Sequence, residues 1–248
     1  MSPLVTCYMQ PDKAKSRRVL EAFAAGCGGR MASTRDEELQ PGSAAFYGVR
    51  TGWARLWRKT QEDARQCYYV DNAWFDSDRE RCFRVARNAI QQTEFQEPVR
   101  TTKRAIAPWR ADGDHIVVCP QSAEFMQVLF GRHDDWAETT CAALRRFTAR
   151  RLVIRRKGDR RSLQEDLRGA WACVVHTSCA AVEALLAGVP IFAGAPCAAL
   201  VMGSADLAQI ESPRMPDGRE RLIAQLEAAQ WTLDEMRSGE CWRALGML

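Results

Sequence analysis

The chain has 248 residues, of which 46% are hydrophobic, and carries a formal net charge of +4. This length predicts one large or two small domains with enough apolar residues to bury a core. No apolar run approaches the roughly 20 residues that a membrane-spanning helix needs, so we expect a soluble protein with no membrane partner.

The basic residues are strongly biased towards arginine, with 30 arginines and 5 lysines. Arginine favours bidentate contacts to phosphate and carboxylate groups, although a codon bias explains the excess equally well. The mild net charge does not by itself indicate a nucleic-acid partner.

The 10 cysteines are scattered along the chain, and none forms a Cys-x-x-Cys pair. Several lie inside apolar, strand-like runs, and the first residues lack the basic-then-apolar order of a secretory signal peptide. These features predict reduced cysteines that serve as small core residues in a cytoplasmic protein.

Short apolar runs alternate with helical patterns in the first part of the chain. Strands are predicted at 4–9, 44–49 and 67–75. A helix follows the first strand and ends at a group of glycines from Gly26 to Gly29. The segment "FRVARNAIQ" is also predicted to be helical. Alternating strands and helices predict a parallel sheet with helices on its faces.

The same alternation restarts after a linker placed at 94–114. The predicted elements are strands at 115–120, 151–157, 173–176 and 190–194, and helices at 134–149, at 162–168 and directly after residue 178. The end of the chain, from residue 219, is predicted to be helical. We therefore predict a Rossmann-like domain over 1–105, a second one over 114–228, and a helical tail over 229–248 that packs on the first domain.

The stretch "VVHTSCAAVEALLAGVP" (174–190) places His176, Thr177 and Ser178 where a strand meets a helix. Such junctions offer backbone N–H groups and the positive end of a helix dipole, which favour phosphate binding. A helix-capping role explains Ser178 equally well. Glu183 follows in an otherwise apolar helix, where a carboxylate needs a partner such as a ligand hydroxyl; the alternative is a place on the polar stripe of the helix.

Cations precede this junction in "VIRRKGDRR" (153–161). Arg155 and Lys157 point to one side if the strand continues through them, and such cations suit a diphosphate. A solvated basic run is the alternative. Ser122, which follows the strand at 115–120 at a predicted helix start, is a weaker candidate for the same site.

The segment from "RRKGDRR" to "PIFAGAPCAA" resembles the donor-binding half of GT-B glycosyltransferases. In that superfamily the Ser-bearing loop binds the donor diphosphate, and the Glu of the next helix often binds the ribose. The resemblance implies that Ser178, with His176 and Thr177 beside it, binds the phosphates and that Glu183 binds the ribose. It also places Arg155 and Lys157 near the diphosphate.

The N-terminal segments "AAFYGV", "CYYVDNAWF" and "FRVARNAIQ" resemble a set of uncharacterised phage-encoded glycosyltransferases. The two resemblances imply a GT-B-like α/β fold, with two Rossmann-like doubly wound domains facing a cleft and C-terminal helices. They imply sugar transfer from a nucleotide-diphosphate sugar to a hydroxyl, without a metal or another cofactor. Many retaining members carry a Glu at the position of His176, so its absence favours inversion.

An inverting transfer needs one carboxylate as general base. Asp71, at the end of the predicted strand "CYYV", is the candidate, although "DN" is also typical of a turn. Arg84 and Arg87 lie on one face if "FRVARNAIQ" is a helix, and with Asn88 they are candidates for contacts to an acidic acceptor or to phosphates. Alternatively, these arginines pair with the acidic residues Asp76, Asp78 and Glu80.

The resemblance to phage-encoded enzymes also implies an acceptor. Phage glycosyltransferases decorate hydroxymethylated pyrimidines in DNA, and the Arg-rich segments of the N-terminal half suit a phosphate backbone. Duplex DNA with modified bases, in the cytoplasm of a host cell, is therefore a hypothesis, although no DNA-binding motif is present and the segments are equally explained as solvated helix faces. Two further alternatives are a nucleotide-sugar 2-epimerase-like enzyme and a non-catalytic nucleotide-binding module.

Overall fold

The computed structural model of the chain describes residues 4–35, 38–49, 51–98, 100–131 and 135–246. In its first part, strands and helices alternate as the sequence predicts. The elements in chain order are β1 (Val5–Met9), α1 (Ala14–Cys27), β2 (Arg30–Ser33), β3 (Ser43–Tyr47), α2 (Ala54–Glu62), β4 (Cys67–Asn72) and β5 (Cys82–Arg87).

The second part of the chain repeats the alternation and ends in short helices. Its elements in chain order are β6 (His115–Cys119), α3 (Ala123–Phe130), α4 (Trp136–Leu144), β7 (Arg151–Ile154), α5 (Leu163–Leu167), β8 (Ala170–Val175), α6 (Ala180–Leu186), β9 (Ile191–Ala193), α7 (Arg219–Ala228), β10 (Gln230–Thr232), α8 (Leu233–Arg237) and α9 (Glu240–Gly246).

The chain divides into two compact units. The first runs to Gln96 and also includes Val128–Gly131 and the chain from Ala228 onward, so β10, α8 and α9 belong to it. The second comprises the remaining residues between Glu97 and Glu227. No described helix has the length and apolar character required to cross a membrane.

Each unit contains a sheet with four parallel strands, and these four strands follow the same order in both units. The first sheet has the order β10-β5-β4-β3-β1-β2, in which β1 to β4 are parallel while β5 and β10 are antiparallel to their neighbours. The second has the order β7-β6-β8-β9 and is entirely parallel. In both units, the first strand (β1 or β6) is followed by a strand on one side of it (β2 or β7) and then by a strand on its other side (β3 or β8). The connections therefore diverge between β1 and β3 and between β6 and β8.

The sheet of the first unit is buried on both faces. Val5 and Cys7 of β1 pack with α1, whereas Tyr8 turns to the opposite face and stacks on Phe46. On that second face, Trp57 of α2 contacts the Phe46 ring. Successive residues of a strand point to opposite faces, so helices on both sides explain the nearly continuous apolar runs of the sequence.

The sheet of the second unit follows the same rule. All six residues of β8 are buried, and Ile116 and Val118 of β6 pack with Leu144 of α4. The segment that precedes β6 is tied to the end of α6, because the Ala107 N–H donates to the carbonyl of Leu186 and the Arg110 N–H donates to that of Gly188.

Arg219 strengthens this connection. Its buried guanidinium donates to the carbonyl oxygens of Ala107 and Leu185 at 2.8 and 3.0 Å and lies 3.8 Å from the ring centre of Trp109. Burial lowers the pKa of Arg219. The guanidinium therefore joins the start of α7, the incoming segment and the last turn of α6.

Three sequence predictions about elements are wrong. The segment "FRVARNAIQ" contains strand β5 and not a helix, because Phe83 and Val85 alternate with Arg84 on opposite faces of the sheet. The end of the chain is interrupted by β10, which pairs with β5. The strand at 151–157 ends at Ile154.

The helix predicted at 134–149 is α4, and Asp134 lies outside the described residues.

Gly188 illustrates why the "AGVP" sequence ends α6. Its φ is +71°, a left-handed conformation that glycine adopts readily. A Cβ atom at this position would overlap the carbonyl oxygen of Pro108. Both the backbone conformation and the close approach of the incoming segment require glycine here.

We expect Gly188→Ala to reduce the free energy of unfolding by about 2–4 kcal/mol, because it adds a steric overlap to left-handed strain. Gly158→Ala is the matched control, since Gly158 has a φ of +95° but no atom near its Cβ position. Urea unfolding of both variants separates the two effects. Equal losses in the two variants would contradict the steric argument.

The ten cysteines form no disulfide, and six of them are buried. Burial raises the pKa of the Cys197 thiol to about 11. Cys27, at the end of α1, differs because the Cys7 thiol donates a hydrogen bond to it, and this lowers the pKa of the Cys27 thiol. Since thiolates are the reactive form, Cys27 is the most nucleophilic of these three cysteines.

We expect iodoacetamide at pH 7.5 to modify Cys27 at least about tenfold faster than Cys197 in the native protein, because Cys27 is both more exposed and more ionised. Peptide mapping by mass spectrometry over a time course measures both rates. Cys7→Ala removes the thiol donor and should slow the modification of Cys27. An unchanged Cys27 rate in that variant would show that exposure alone sets its reactivity.

Candidate functional site

The candidate site in the second unit lies at the carboxyl ends of β6 and β8. These neighbouring strands flank the position where the connections diverge, and ligands of doubly wound proteins bind there. Ser122 follows β6, and His176, Thr177 and Ser178 follow β8. The structure thus brings the predicted residues of both loops to one edge of the sheet.

His176 and Thr177 are buried in the junction. The His176 ring meets the Trp136 ring edge-on at a centroid distance of 5.6 Å, and the Thr177 hydroxyl donates to the Pro196 carbonyl at 2.8 Å. The loop after β9 reinforces this packing, because the Ala195 N–H donates to the His176 carbonyl at 2.9 Å. These two side chains therefore help to hold the loop in place.

Ser178 and Ser122 are more exposed and lie directly before helices. The Ser178 Oγ accepts the N–H of Ala180 at 3.1 Å, and the Ser122 Oγ accepts the N–H of Phe125 at 3.2 Å. The Ser122 hydroxyl therefore caps α3, whereas the Ser178 hydroxyl lies one residue before the N-cap of α6, Cys179. Both hydroxyls keep a proton that can be donated to a ligand. Because α6 has only seven residues, its dipole adds little to either role.

Glu183 lies in the first turn of α6 and is half-buried. Its Oε2 accepts a hydrogen bond from the exposed amide of Gln164 at 3.4 Å. The carboxylate is thus reachable from solvent on the α5 side of α6, and the rest of α6 contributes Val182 and Leu185 to the core.

Arg155 and Lys157 do not share a strand face, since β7 ends before both residues. Arg155 is turned inward, where its Nε lies 3.6 Å from the Asp166 carboxylate and its guanidinium donates to the carbonyls of Arg156 and Arg161. Lys157 is exposed in the turn that the Asp159 carboxylate closes by accepting the Arg156 N–H at 2.7 Å. Lys157 is therefore the more accessible cation of the pair.

Asp166 organises this loop and was not predicted from the sequence. Asp166 is 4% exposed and forms ion pairs with Arg155 and, at 3.1 Å, with Arg161. The preceding Ser162 and Glu165 form a reciprocal capping box at the start of α5. The Ser-x-x-Glu pattern was the available signal for this helix start, but it gives no indication that the next residue is buried.

In the first unit, Asp71 lies within β4 rather than beyond its end. Its Oδ2 accepts the Arg84 Nη2 at 2.7 Å and the Tyr69 hydroxyl at 3.3 Å, and its Oδ1 accepts the Asn72 N–H at 2.8 Å. The Asp71 side chain remains 23% exposed. It is thus a fixed carboxylate that an incoming hydroxyl can still reach.

Arg84 is the partner that fixes Asp71. The two residues are directly opposite on the antiparallel strands β4 and β5, and the buried Arg84 guanidinium lies 4.8 Å from the centre of the Trp74 ring. Arg84 was predicted to contact an acidic acceptor or a phosphate. In the structure it forms an ion pair with Asp71, because strand β5 places the Arg84 side chain on the same face of the sheet as Asp71.

Arg87 and Asn88 do not join Arg84. Arg87 is exposed at the end of β5, and its offset of three residues places it on the opposite strand face from Arg84. Asn88 has a φ of +55°, and its Oδ1 and N–H pair with the N–H and carbonyl of Cys67 at 2.9 and 2.8 Å. Asn88 therefore closes the end of the β4–β5 pair.

No group of three His, Cys, Asp or Glu side chains among the described residues is placed to hold a metal ion. His115 is buried at the start of β6, where its Nδ1 contacts Asp114 and its Nε2 lies 2.8 Å from the Asp166 carbonyl oxygen. His133 lies outside the described residues.

Both sheets thus define a Rossmann-like α/β protein. No family model matches the chain, and no curated protein does. Among solved structures it is similar to the β-Kdo 2,4 transferase of KpsC from Thermosulfurimonas dismutans, with a TM-score of 0.50 and 10% identity over 91% of this chain and 90% of that one. The β-Kdo 2,7 transferase of the same KpsC matches with a TM-score of 0.49 and 10% identity over 99% of both chains. At 10% identity, the first comparison shows that the two chains share a fold.

We expect Asp166→Asn to lower the free energy of unfolding by about 2–3 kcal/mol, because it leaves the half-buried Arg155 without its countercharge. The control is Glu138→Gln, which breaks an exposed ion pair with Arg156 and should cost less than about 0.5 kcal/mol. Denaturant unfolding of both variants is the measurement. A loss in Asp166→Asn no larger than in the control would exclude Asp166 as the residue that holds the loop.

Proposed function

We propose that the chain is a glycosyltransferase that moves a sugar from a nucleotide-diphosphate sugar to a hydroxyl acceptor. The observation that carries the proposal is the position of Ser122 and Ser178. Both lie at the carboxyl ends of adjacent strands where the connections diverge, in a chain that shares its fold with a solved sugar transferase. Fold alone does not define a reaction, so the residues at this edge must supply the argument.

The second unit is proposed to bind the donor. The hydroxyls of Ser178 and Ser122 retain donatable protons, and Lys157 adds an exposed positive charge in the loop after β7. Glu183 follows Ser178 on α6 with its carboxylate reachable from solvent, as binding of ribose hydroxyls requires. Arg155 contributes indirectly, by holding the loop through Asp166.

The first unit is proposed to supply the general base, Asp71. In an inverting displacement the acceptor oxygen forms a bond to the anomeric carbon while the bond to the donor phosphate breaks, and the base takes the acceptor proton. The Asp71 carboxylate is held by three hydrogen bonds and remains partly exposed. Inversion, independence from metals, and a GT-B arrangement of the two units are parts of this proposal.

The hypothesis of a DNA acceptor stays a prediction from the sequence. Arg55 and Arg58 are exposed on α2. Such exposed arginines are consistent with binding of a polyanion and equally with a helix face that is simply solvated. Binding to duplex DNA that weakens steeply with salt is the required behaviour. If affinity is in the millimolar range or weaker at low salt, DNA is excluded as the acceptor.

Nucleotide binding provides the first experiment. Thermal unfolding is measured with nucleoside mono- and diphosphates and with nucleotide sugars, each at several concentrations. A ligand at about 100 times its dissociation constant should stabilise the protein by roughly 2.7 kcal/mol. Absence of stabilisation by every nucleotide would overturn the donor-site proposal.

Variants assign the binding to the proposed site. We expect Ser178→Ala and Glu183→Gln each to weaken nucleotide binding about tenfold, because each removes one polar contact to the ligand. Glu165→Gln is the control, because this exposed carboxylate belongs to α5 and caps its own helix. Equal affinities in all three variants would place the nucleotide elsewhere.

Catalysis provides the second experiment. We expect Asp71→Asn to reduce donor hydrolysis or transfer at least about 100-fold while nucleotide binding is retained, because a carboxamide cannot accept the proton. Asp78→Asn is the matched control: Asp78 is also a carboxylate of the first unit in an ion pair, with Arg81. Full activity of Asp71→Asn would indicate a different base, and nucleotide binding without any turnover in the unaltered protein would favour the non-catalytic module. Epimerised nucleotide sugar as the product would identify the epimerase alternative.

A further inference from the structure

Two cysteines lie against each other where the end of α1 packs on β1. Alternate residues of a strand share a face, so Cys7 lies with Val5 on the face of β1 that α1 covers. Cys27 is the last residue of α1 and packs against the same core cluster. Its Sγ is close to β1, because a Cβ atom on Gly29 would lie 3.0 Å from this Sγ and 3.4 Å from the Val5 Cβ. The fold thus brings together two thiols that a whole helix separates in the sequence.

A hydrogen bond between these thiols gives them different roles. Cys7 is fully buried and donates to Cys27, which is half-buried. This hydrogen bond raises the pKa of the Cys7 thiol and lowers the pKa of the Cys27 thiol. As a thiol, Cys27 itself donates to the Ala24 carbonyl oxygen, 3.6 Å away. The thiolate is therefore favoured on the sulfur that solvent can reach, and a protonated thiol is held beside it.

The second unit contains a comparable pair that solvent does not reach. Cys119 of β6 and Cys173 of β8 are also hydrogen-bonded to each other, and this bond together with burial raises the pKa of the Cys173 thiol. Their exposed fractions are 4% and 0%. This pair has the thiol–thiol contact without the access, so it provides an internal reference for the pair in the first unit.

A third cysteine near Cys27 is the competing partner. Cys241 of α9 belongs to the same core cluster as Cys7. Its pKa is raised by burial and, to a smaller extent, by the nearby Cys27. Cys7 is favoured over Cys241 as the partner of Cys27, because the Cys7 thiol is hydrogen-bonded to the Cys27 sulfur.

We propose that Cys7 and Cys27 form a redox pair that a hydroperoxide oxidises to a reversible disulfide. The Cys27 thiolate attacks one oxygen of the hydroperoxide, the O–O bond breaks, and the other oxygen takes a proton and leaves as water or an alcohol, so that Cys27 becomes a sulfenic acid. The Cys7 sulfur then loses its proton and attacks the Cys27 sulfur, the S–O bond breaks, and water leaves. Two thiols and one hydroperoxide thus give a disulfide, one water, and one alcohol or second water.

The test treats the reduced full-length protein with hydrogen peroxide and maps its disulfides by mass spectrometry. After free thiols are blocked in denaturant, trypsin places Cys7 and Cys27 on different peptides, because Lys13 and Arg18 lie between them. We expect the linked Cys7–Cys27 peptide as the main oxidised product and its loss on addition of dithiothreitol. Cys27 should be oxidised at least about tenfold faster than Cys173, because peroxide reaches its sulfur and more of it is thiolate.

Three variants assign the roles of the two thiols. In Cys7→Ala we expect no disulfide, whereas the sulfenic acid on Cys27 forms more slowly, persists and is trapped by dimedone. In Cys27→Ser we expect Cys7 to remain a thiol, because it is buried. Cys141→Ala is the matched control: Cys141 is also half-buried, but burial raises its pKa, so the disulfide should form as in the unaltered protein.

The outcomes decide the inference without reference to the proposed function. A disulfide between Cys27 and Cys241, or sulfinic acid on Cys27 in place of any disulfide, would overturn the pairing with Cys7. Equal oxidation rates of Cys27 and Cys173 would overturn the argument from access. The map of the unaltered protein is decisive even where a variant fails to fold. Nucleotide binding is measured on the reduced protein, so the redox pair and the donor site can each fail while the other stands.

Discussion

Burial of the parallel strands on both faces is the constraint from which the other features follow. In β8 all six residues are buried, and β1 packs apolar side chains on both sides. A polar group inside such a strand would lose its hydration without a compensating partner. Ligand-binding groups are therefore confined to the strand ends, and a shared strand order brings the ends of β1 and β3, and of β6 and β8, together in the two units.

Charged groups near these edges are fixed by partners of opposite charge. Asp71 is held by Arg84 and Asp166 by two arginines. Replacing one member of such a buried pair leaves the other uncompensated. A buried ion pair at a site therefore orients side chains, while exposed residues such as Lys157 remain available to a ligand.

The alternation of strands and helices was predicted well from the sequence. Strands that are buried on both faces form apolar runs, and glycine and proline residues mark where these runs end. It failed at β5, where Phe83 and Val85 alternate with polar residues over too short a segment to separate a strand from a helix. It also missed β10, since three half-buried residues are set by pairing with a distant strand.

The candidate site was predicted less completely. Ser122 and Ser178 were found because a strand end followed by a helix start has a local pattern. The partners of Arg84 and the burial of Asp166 depend on contacts between segments distant in sequence, and no local pattern encodes them.

The connection made by Arg219 has a mechanical consequence. The guanidinium and two backbone hydrogen bonds attach the segment that enters the second unit to the last turn of α6, and Glu183 is carried by that same helix. Because Gly188 is in close contact with Pro108, the entering segment packs tightly against the end of α6. The position of Glu183 in the middle of α6 is thus tied to the segment that enters the second unit.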